Sequence, residues 1–558
     1  MKYIIIGAVA GGASTAARLR RLDEHAEIVI FEKGPYISYA NCGLPYYIGN
    51  VIEDRNKLFV QSAASFFARF NVDVRVNSEV MRINRFEKTV TATDLLSGKE
   101  YEESYDKLVL SPGAIPIRPP LPGIQHNGIF TLRDVPDTDR IKEYIAESKA
   151  RNAVIIGAGF IGLEMAENFH KLGLIVTIVE MSNQILAPVD LPIAAMAQKY
   201  LREKGIQLHL KTAVTGFVKE EGQLKVQLQN KPALDADLVI LSIGVKPNTH
   251  LAENAGLKIG PAKGIWVNEY LQTSDPDIYA IGDAIEFANP ISEQSMVTFL
   301  AGPANKQGRI CANNLAIGNK QKYSGSVNTA IVKVFDLTIG AAGMAVKQLE
   351  RNKIPYLTAT IHGNSRAGYY PGAELMTIQI AFSPRNGRLL SAQIIGGEGV
   401  DKRLDILSSV IKNKGTIYEL TDIEHSYAPP FSSAKDPVNM VGFVAENILL
   451  NRLKVIECSK LSLVEVNSLL VDVRTPAEFA EGTIDGALNI PLDEIRSRLA
   501  EIPSDRPLYI FCQQGLRGYL AQRILVQNGF QNVTNLSGGY LLWKVYYEET
   551  ELTEAALI

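Results

Sequence analysis

The chain has 558 residues, room for about three to four domains of ordinary size. Its 46% hydrophobic and 21% charged residues are those of an ordinary globular protein, and a formal charge of −3 leaves no basic excess to hold nucleic acid. The apolar runs are short and broken by Gly, Pro or charge, well below the ~18 residues that suggest a membrane span. The four cysteines, Cys42, Cys311, Cys458 and Cys512, lie far apart with no CxxC pair. No disulfide framework, zinc site or other metal site is therefore expected, and a reducing, cytoplasmic setting fits best. The stretch after Lys2 has the outline of a signal peptide, but Tyr3 to Ile6 has only strand length and runs into a Gly-rich turn.

In chain order, the first element is a strand, Gly turn and helix, "KYIIIGAVAGGASTAARLRRL", followed by the strand "EIVIFEK". The turn Gly7-Ala8-Val9-Ala10-Gly11-Gly12 opens a helix whose free N–H groups and positive dipole end suit a pyrophosphate. Glu32 lies 25 residues after Gly7, where a carboxylate can accept hydrogen bonds from a ribose. Arg18 and Arg21 on that helix suit either phosphate binding or a solvated face. Cys42 follows in "YISYANCGLPYYIG", with no second cysteine nearby. A lone redox cysteine must pair with something external: a small thiol, a persulfide sulfur, or oxygen as sulfenic acid. A nearby helix end is expected to stabilise its thiolate.

The pattern is echoed near residue 153, "NAVIIGAGFIGLEMAENFHKLG" and then "IVTIVEM". This turn has all three glycines, Gly157, Gly159 and Gly162, and Glu180 closes the next strand 23 residues after Gly157. An acid there bonds both ribose hydroxyls and repels a 2′-phosphate, and Met181, Ser182 and Asn183 offer no arginine to attract one. NADH is thus favoured over NADPH. Residues 325–447 alternate like an antiparallel sheet followed by helices; 448–458 reads as a junction. From 459 a small α/β pattern begins, and its strand "PLYIFC" ends at the loop Cys512-Gln513-Gln514-Gly515-Leu516-Arg517. Backbone N–H groups and Arg517 around that sulfur suit a thiolate that becomes a persulfide. Asp472 and Arg474 read as supports for that loop, and Cys311 and Cys458 as structural residues.

Two further segments carry a family resemblance. "TSDPDIYAIGDA" (273–284) resembles the second FAD motif of two-dinucleotide-binding flavoproteins, and "YDKLVLSPGAIP" (105–116) the strand motif joining their FAD and NADH domains. With Cys42, residues 1–447 resemble the single-cysteine branch of the pyridine nucleotide-disulfide oxidoreductases, which includes the coenzyme A-disulfide reductases. Their SFxxC motif stands here as Ser38-Tyr39-Ala40-Asn41-Cys42, with Tyr39 in place of phenylalanine. NADH oxidases and peroxidases share the lone cysteine but cycle it through sulfenic acid. The C-terminal segment resembles a rhodanese domain. Its C-x4-R spacing is shorter than the C-x5-R of cysteine phosphatases.

The resemblance implies an α/β architecture of two Rossmann-like domains, an α+β dimerisation domain and a C-terminal α/β rhodanese-like domain. It places an FAD domain at 1–112 and 246–322, an NADH domain at 113–245, a dimerisation domain at 323–447, a linker at 448–458 and the rhodanese-like domain at 459–558. FAD would engage Gly7, Gly11, Gly12, Glu32, Lys33, Ser111, Gly113, Arg133, Asp283 and Ala301; NADH would engage Gly157, Gly159, Gly162, Glu180 and Gly244. Cys42 would rest as a mixed disulfide with coenzyme A, held by Arg18, Arg21, Ser38 and Asn41. Tyr427, with Tyr369 rather than Tyr370, would serve the active site of the partner subunit of a homodimer. The expected activity is NADH-driven reduction of coenzyme A disulfide, persulfide or polysulfide, with sulfur transfer at Cys512 and Arg517. The alternatives are an NADH oxidase or peroxidase, and a sulfur carrier with a regulatory flavin half.

Overall fold

The computed structural model describes residues 1–464 and 467–555. They form two compact units, Met1–Val179 with Thr212–Asn328, and Glu180–Lys211 with Thr329–Ile558. This division cuts across the segment 113–245 expected as one domain, because 180–211 clusters with the second unit.

The first unit carries both Gly turns. Its first sheet has five strands in the order Ile278–Ala280, Lys107–Leu110, Lys2–Ile6, Glu27–Phe31 and Asp73–Arg75. All are parallel. The central strands are continuous apolar runs because both sheet faces are covered; Ile4, Ile5 and Val109 are fully buried. The chain leaves Lys2–Ile6 on one side for Glu27–Phe31 and later returns on the other as Lys107–Leu110. Such a reversal opens a crevice at the carboxyl ends of the strands. The helix Ala10–Leu22 packs against Ala301–Ile317 at close range. A Cβ on Gly308 would lie 2.6 Å from the Gly11 carbonyl oxygen, so the two backbones approach only because no side chain intervenes. A second parallel set pairs Ile175–Val179, Asn152–Ile156, Leu238–Leu241 and Ile129–Phe130, with the helix Phe160–Lys171 after the second turn.

In the second unit, a five-stranded antiparallel sheet runs Ala330–Val334, Leu337–Gly343, Leu389–Gly396, Leu375–Phe382 and Leu357–Asn364. Leu389–Gly396 is buried along its whole length despite its polar residues. Helices Val400–Lys412 and Leu191–Glu203 both pack on it, and Gln393 is satisfied by Asp190, whose Oδ2 accepts from Nε2 at 2.5 Å. A last sheet is parallel, in the order Val455–Ile456, Val533–Leu536, Leu508–Phe511, Leu469–Asp472 and Leu488–Asn489. The junction expected at 448–458 is thus not a free tether. Val455–Ile456 forms an edge strand and Cys458–Leu463 a 3-10 turn, and a two-residue strand leaves no periodicity to read. The final helix, Gly539–Ala555, docks on Leu191–Glu203 through Lys199–Glu548 at 2.9 Å and Arg202–Glu549 at 3.3 Å. Among the described residues no helix is long and apolar enough to cross a membrane.

Candidate active sites

A cavity of about 1050 Å³ occupies the crevice of the first sheet. The first Gly turn forms its floor. A Cβ on Gly7 would lie 2.1 Å from the Ser111 oxygen, and one on Gly12 would lie 1.8 Å from the Gly7 oxygen. These positions exclude any side chain, and a pyrophosphate can approach the backbone where none projects. Glu32 ends the second strand with its carboxylate accepting from Ala8 N–H at 2.8 Å and Gly34 N–H at 2.9 Å. Burial pushes that carboxyl above its ordinary range, against the pull of the two N–H groups. Asp283 is likewise pushed up by burial, with Arg133 opposing. Gly11, Lys33, Ser38, Asn41, Ser111, Gly113, Arg133 and Ala301 also line the cavity, and Gly12 lies buried beneath it. Lys33 is tied to Glu79 at 2.8 Å. A cavity this large, floored by a glycine turn and flanked by two half-buried carboxyls, fits an FAD.

Cys42 stands on the same wall. It sits in the 3-10 turn Asn41–Gly43 that leads into the short helix Leu44–Ile48. Two links hold this loop to the cavity. Ser38, in the left-handed region at φ 46°, donates its N–H to the Ala8 oxygen at 2.9 Å. The Asn41 amide pairs with Arg133 through two 2.9 Å bonds, donating to its carbonyl and accepting from its guanidinium. Cys42 reaches solvent. The surrounding protein nevertheless withdraws enough water to push its thiol up, and the carboxylates of Glu164 and Asp283 add to the effect. The helix end expected to help stabilise the thiolate does not by itself offset this: the nearby charges are negative, and the adjacent helix has only five residues. Glu164, on the helix after the second turn, was not anticipated. It accepts from Tyr46 Oη at 3.3 Å, and burial pushes its carboxyl up to about 7.

Arg18 and Arg21 lie further along the first helix, off the cavity wall. Arg18 donates to Asn313 at 2.9 Å. Partial desolvation and then the charges of Arg309 and Arg21 lower its pKa, so three guanidiniums form one basic cluster. Arg309, from the facing helix, could not be read from the local motif. Arg20 between them is structural, donating to the carbonyls of Phe70, Asn71, Asp23 and Glu24.

The second turn repeats the first. A Cβ on Gly157 would lie 2.5 Å from the Ser242 oxygen, and one on Gly162 would lie 2.2 Å from the Gly157 oxygen, while Gly159 caps the helix. Gly244 takes φ 113°. Glu180, the first residue of the second unit, accepts from the Ser182 N–H at 2.9 Å and its hydroxyl at 2.6 Å.

In the second unit, the hydroxyls of Tyr369 and Tyr427 meet at 3.4 Å, with the two side chains 78% and 49% exposed. The hydrogen bond to Tyr427 raises the Tyr369 pKa. Their loops are held together from below. Arg403, fully buried, donates to Asp436 at 2.8 Å and to the Ser365 oxygen at 3.0 Å, and Asp436 caps the helix Pro437–Leu449 through Val438 N–H.

Cys512 directly follows the strand Leu508–Phe511 and is itself 1% exposed. Gly515, at φ 111°, turns its N–H onto Sγ at 3.1 Å. The loop carbonyls of Cys512 and Gln513 accept from Tyr540 and Leu541 N–H at 2.8 and 3.0 Å. Arg474, paired with Asp472 at 2.7 Å, donates to Gln513 Oε1 at 3.2 Å. Arg517 faces the Cys512 sulfur, and it is also paired. Its two terminal nitrogens are bound by Glu478 at 2.7 and 2.6 Å.

Comparison with known proteins follows the same division. Residues 1–308 match the family model of the pyridine nucleotide-disulphide oxidoreductases, 329–437 that of their dimerisation domain, and 459–545 that of the rhodanese-like domain. The chain is 36% identical over 448 residues to the coenzyme A disulfide reductase of Staphylococcus haemolyticus, covering 80% of this chain and 100% of the relative. It is similar to the structure of reduced Bacillus anthracis CoADR-RHD, with 47% identity, a TM-score of 0.96 and 98% of both chains covered. A NAD-dependent persulfide reductase from A. fulgidus is 36% identical, with a TM-score of 0.91 over 97% of this chain and 100% of that one. The water-forming NADH oxidase of Lactobacillus brevis is 27% identical with a TM-score of 0.77, over 81% of this chain and 99% of that one. Two glycine turns under parallel sheets, a lone cysteine on the cavity wall and a family match over more than half the length converge on one conclusion: the chain belongs to the pyridine nucleotide-disulphide oxidoreductase family.

Proposed function

We propose that this chain is an FAD-dependent reductase that uses NADH to reduce coenzyme A disulfides and persulfides at Cys42, with sulfur transfer through Cys512 in its rhodanese-like domain. The observation that carries this reading is the solvent-reaching Cys42 on the cavity wall, while Cys311, the other cysteine of that unit, is fully buried. Without an internal partner, Cys42 must pair with an external sulfur or with oxygen, and the relatives favour sulfur. Relatives matched along nearly the whole chain include a persulfide reductase, whereas the matched NADH oxidase covers 81% of it.

FAD would be held by Gly7, Gly11, Gly12, Glu32, Lys33, Ser111, Gly113, Arg133, Asp283 and Ala301. When bound, it supplies two-electron transfer between nicotinamide and sulfur. Gly157, Gly159, Gly162 and Gly244 would seat NADH, and Glu180 would accept from its adenosine ribose and repel a 2′-phosphate. The Cys42 thiolate attacks the substrate disulfide or persulfide; the S–S bond breaks and the thiol or hydrogen sulfide leaves with the electron pair. Resolving the sulfur left on Cys42 consumes two electrons, drawn from NADH. Ser38 and Asn41 fix the Cys42 loop, and Arg18 and Arg21 pair with the coenzyme A phosphates. The chain acts as a homodimer through 323–447, in which the Tyr369–Tyr427 pair of one subunit protonates the thiolate leaving the other subunit's site. Four unpaired cysteines suit the cytoplasm.

The test is steady-state NADH oxidation with coenzyme A disulfide, coenzyme A persulfide, polysulfide, peroxide and oxygen side by side. Coenzyme A disulfide or persulfide should give the highest kcat/KM. Peroxide or oxygen as the best acceptor, with sulfenic acid at Cys42, would replace this reading with an oxidase or peroxidase.

A further inference from the structure

The loop around Cys512 has two guanidiniums, and both are already paired. Arg474 is 2% exposed, bound to Asp472 and to the Gly482 oxygen at 2.7 Å. Arg517, at the start of the helix Leu516–Gln527, is held two-pronged by Glu478. Glu478 is itself fixed from below. It belongs to the helix Pro476–Ala480, and its carboxylate accepts from the Thr475 N–H at 2.9 Å and hydroxyl at 3.1 Å in a capping box. The Arg517 hydrogen bonds draw the Glu478 carboxyl down to about 2, so it is ionised at neutral pH.

A two-pronged arginine–carboxylate pair carries no net charge. A dianionic sulfur donor such as thiosulfate therefore meets no free cation here, and it approaches both a carboxylate and the Cys512 thiolate. A protonated organic persulfide carries no charge and loses nothing by the pairing. The Gly515 N–H at 3.1 Å and the amino end of the following helix stabilise the sulfur, and Arg517 also faces it, with its charge already offset by Glu478.

Resting on the reading of Cys512 as the sulfur-transfer nucleophile, we propose that Glu478 selects the sulfur donor: by holding Arg517 it disfavours the thiosulfate dianion and leaves the loop suited to protonated organic persulfides. In the favoured reaction the Cys512 thiolate attacks the outer sulfur of R–S–SH. The donor S–S bond breaks, a new S–S bond forms on Cys512, and R–S⁻ leaves with the electron pair. With thiosulfate, the same attack expels sulfite with the electron pair. Sulfane sulfur is transferred in both, and no external oxidant or reductant is needed.

The experiment is Glu478→Gln in the full-length, FAD-loaded protein. Glutamine keeps the size of the side chain and can still accept from Thr475, while Arg517 gains a net charge. Transfer to cyanide is measured from thiosulfate and from the persulfide of 2-mercaptoethanol, whose carbon chain bears no charge. The ratio of kcat/KM for thiosulfate to that for the persulfide should rise about tenfold or more, as expected for one unscreened charge near a dianion. The thiosulfate value of the variant should fall with added sodium chloride, while that of the native protein stays flat; loss of packing alone would not produce this salt dependence. Glu478→Asp should restore a low ratio. An unchanged or lower ratio, loss of transfer from both donors, or a rise without salt dependence would overturn the proposal. Cys512→Ser is run in parallel: transfer that survives in it would overturn the nucleophile assignment, whatever Glu478 does. Native protein inactive with both donors would overturn both.

Discussion

Replacing Glu164 with glutamine removes a half-buried acid beside the Cys42 helix and leaves a side chain that can still bond Tyr46. In the folded protein this carboxyl is pushed from its ordinary 4.5 up to about 7 by burial, with Glu167 adding to the rise and Tyr46 opposing it. The folded chain therefore keeps a proton that the unfolded chain releases. Stability from this group is complete below pH 4.5, falls as pH rises through about 7, and stays flat above. At about 1.4 kcal/mol per pH unit, that interval amounts to about 3 kcal/mol. The glutamine variant does not titrate. Its unfolding free energy relative to the native protein should therefore rise by up to about 3 kcal/mol from acid to mildly alkaline pH. Urea titrations of both FAD-loaded proteins across that range give the difference directly, since the cofactor contribution is common to both. Glu164 also raises the Cys42 thiol, after desolvation. Iodoacetamide should accordingly modify Cys42 faster in the NADH-reduced variant at neutral pH. A stability difference that does not change with pH, or a variant less stable at alkaline pH, would refute the assignment of Glu164 as a half-buried acid in contact with the active-site loop.

Other substitutions probe the remaining parts. Cys42→Ser should retain FAD and still allow NADH to bleach the flavin, but lose disulfide and persulfide turnover; mass spectrometry should find a coenzyme A adduct on the native protein that reductant removes and that the variant lacks. Asp436→Ala leaves Arg403 buried without its partner, which should cost about 3–5 kcal/mol in chemical denaturation and reduce turnover by loosening the Tyr369 and Tyr427 loops. Glu180→Ala should narrow a preference for NADH over NADPH of roughly tenfold, since one partly screened charge is worth about 1–2 kcal/mol. Comparison of kcat/KM for the two dinucleotides checks it, and an unchanged ratio would rule out that role for Glu180.

What could be read from the sequence alone was local. A strand, a Gly turn and a helix are contiguous, and their glycines stand where a side chain would strike backbone, as Gly7, Gly12, Gly157 and Gly162 show. The loop from Cys512 to Arg517 is likewise one segment, and the lone Cys42 is visible because its expected second cysteine is missing. Tertiary structure decided what surrounds these segments. Tyr46 and Glu164 are 118 residues apart, Glu478 and Arg517 are 39 apart, and Arg403 and Asp436 are 33 apart. No periodicity or spacing rule joins such positions; only the packing of one element on another does. That packing sets the charges around both cysteines. Desolvation and neighbouring carboxylates raise the Cys42 thiol rather than lower it, and Glu478 occupies the guanidinium of Arg517. The edge strand Val455–Ile456 is the same case in the backbone: two residues form a strand because Val533–Leu536 lies beside them. Motif chemistry is written along the chain, whereas charge state and access depend on which distant groups share a volume, and folding alone sets that.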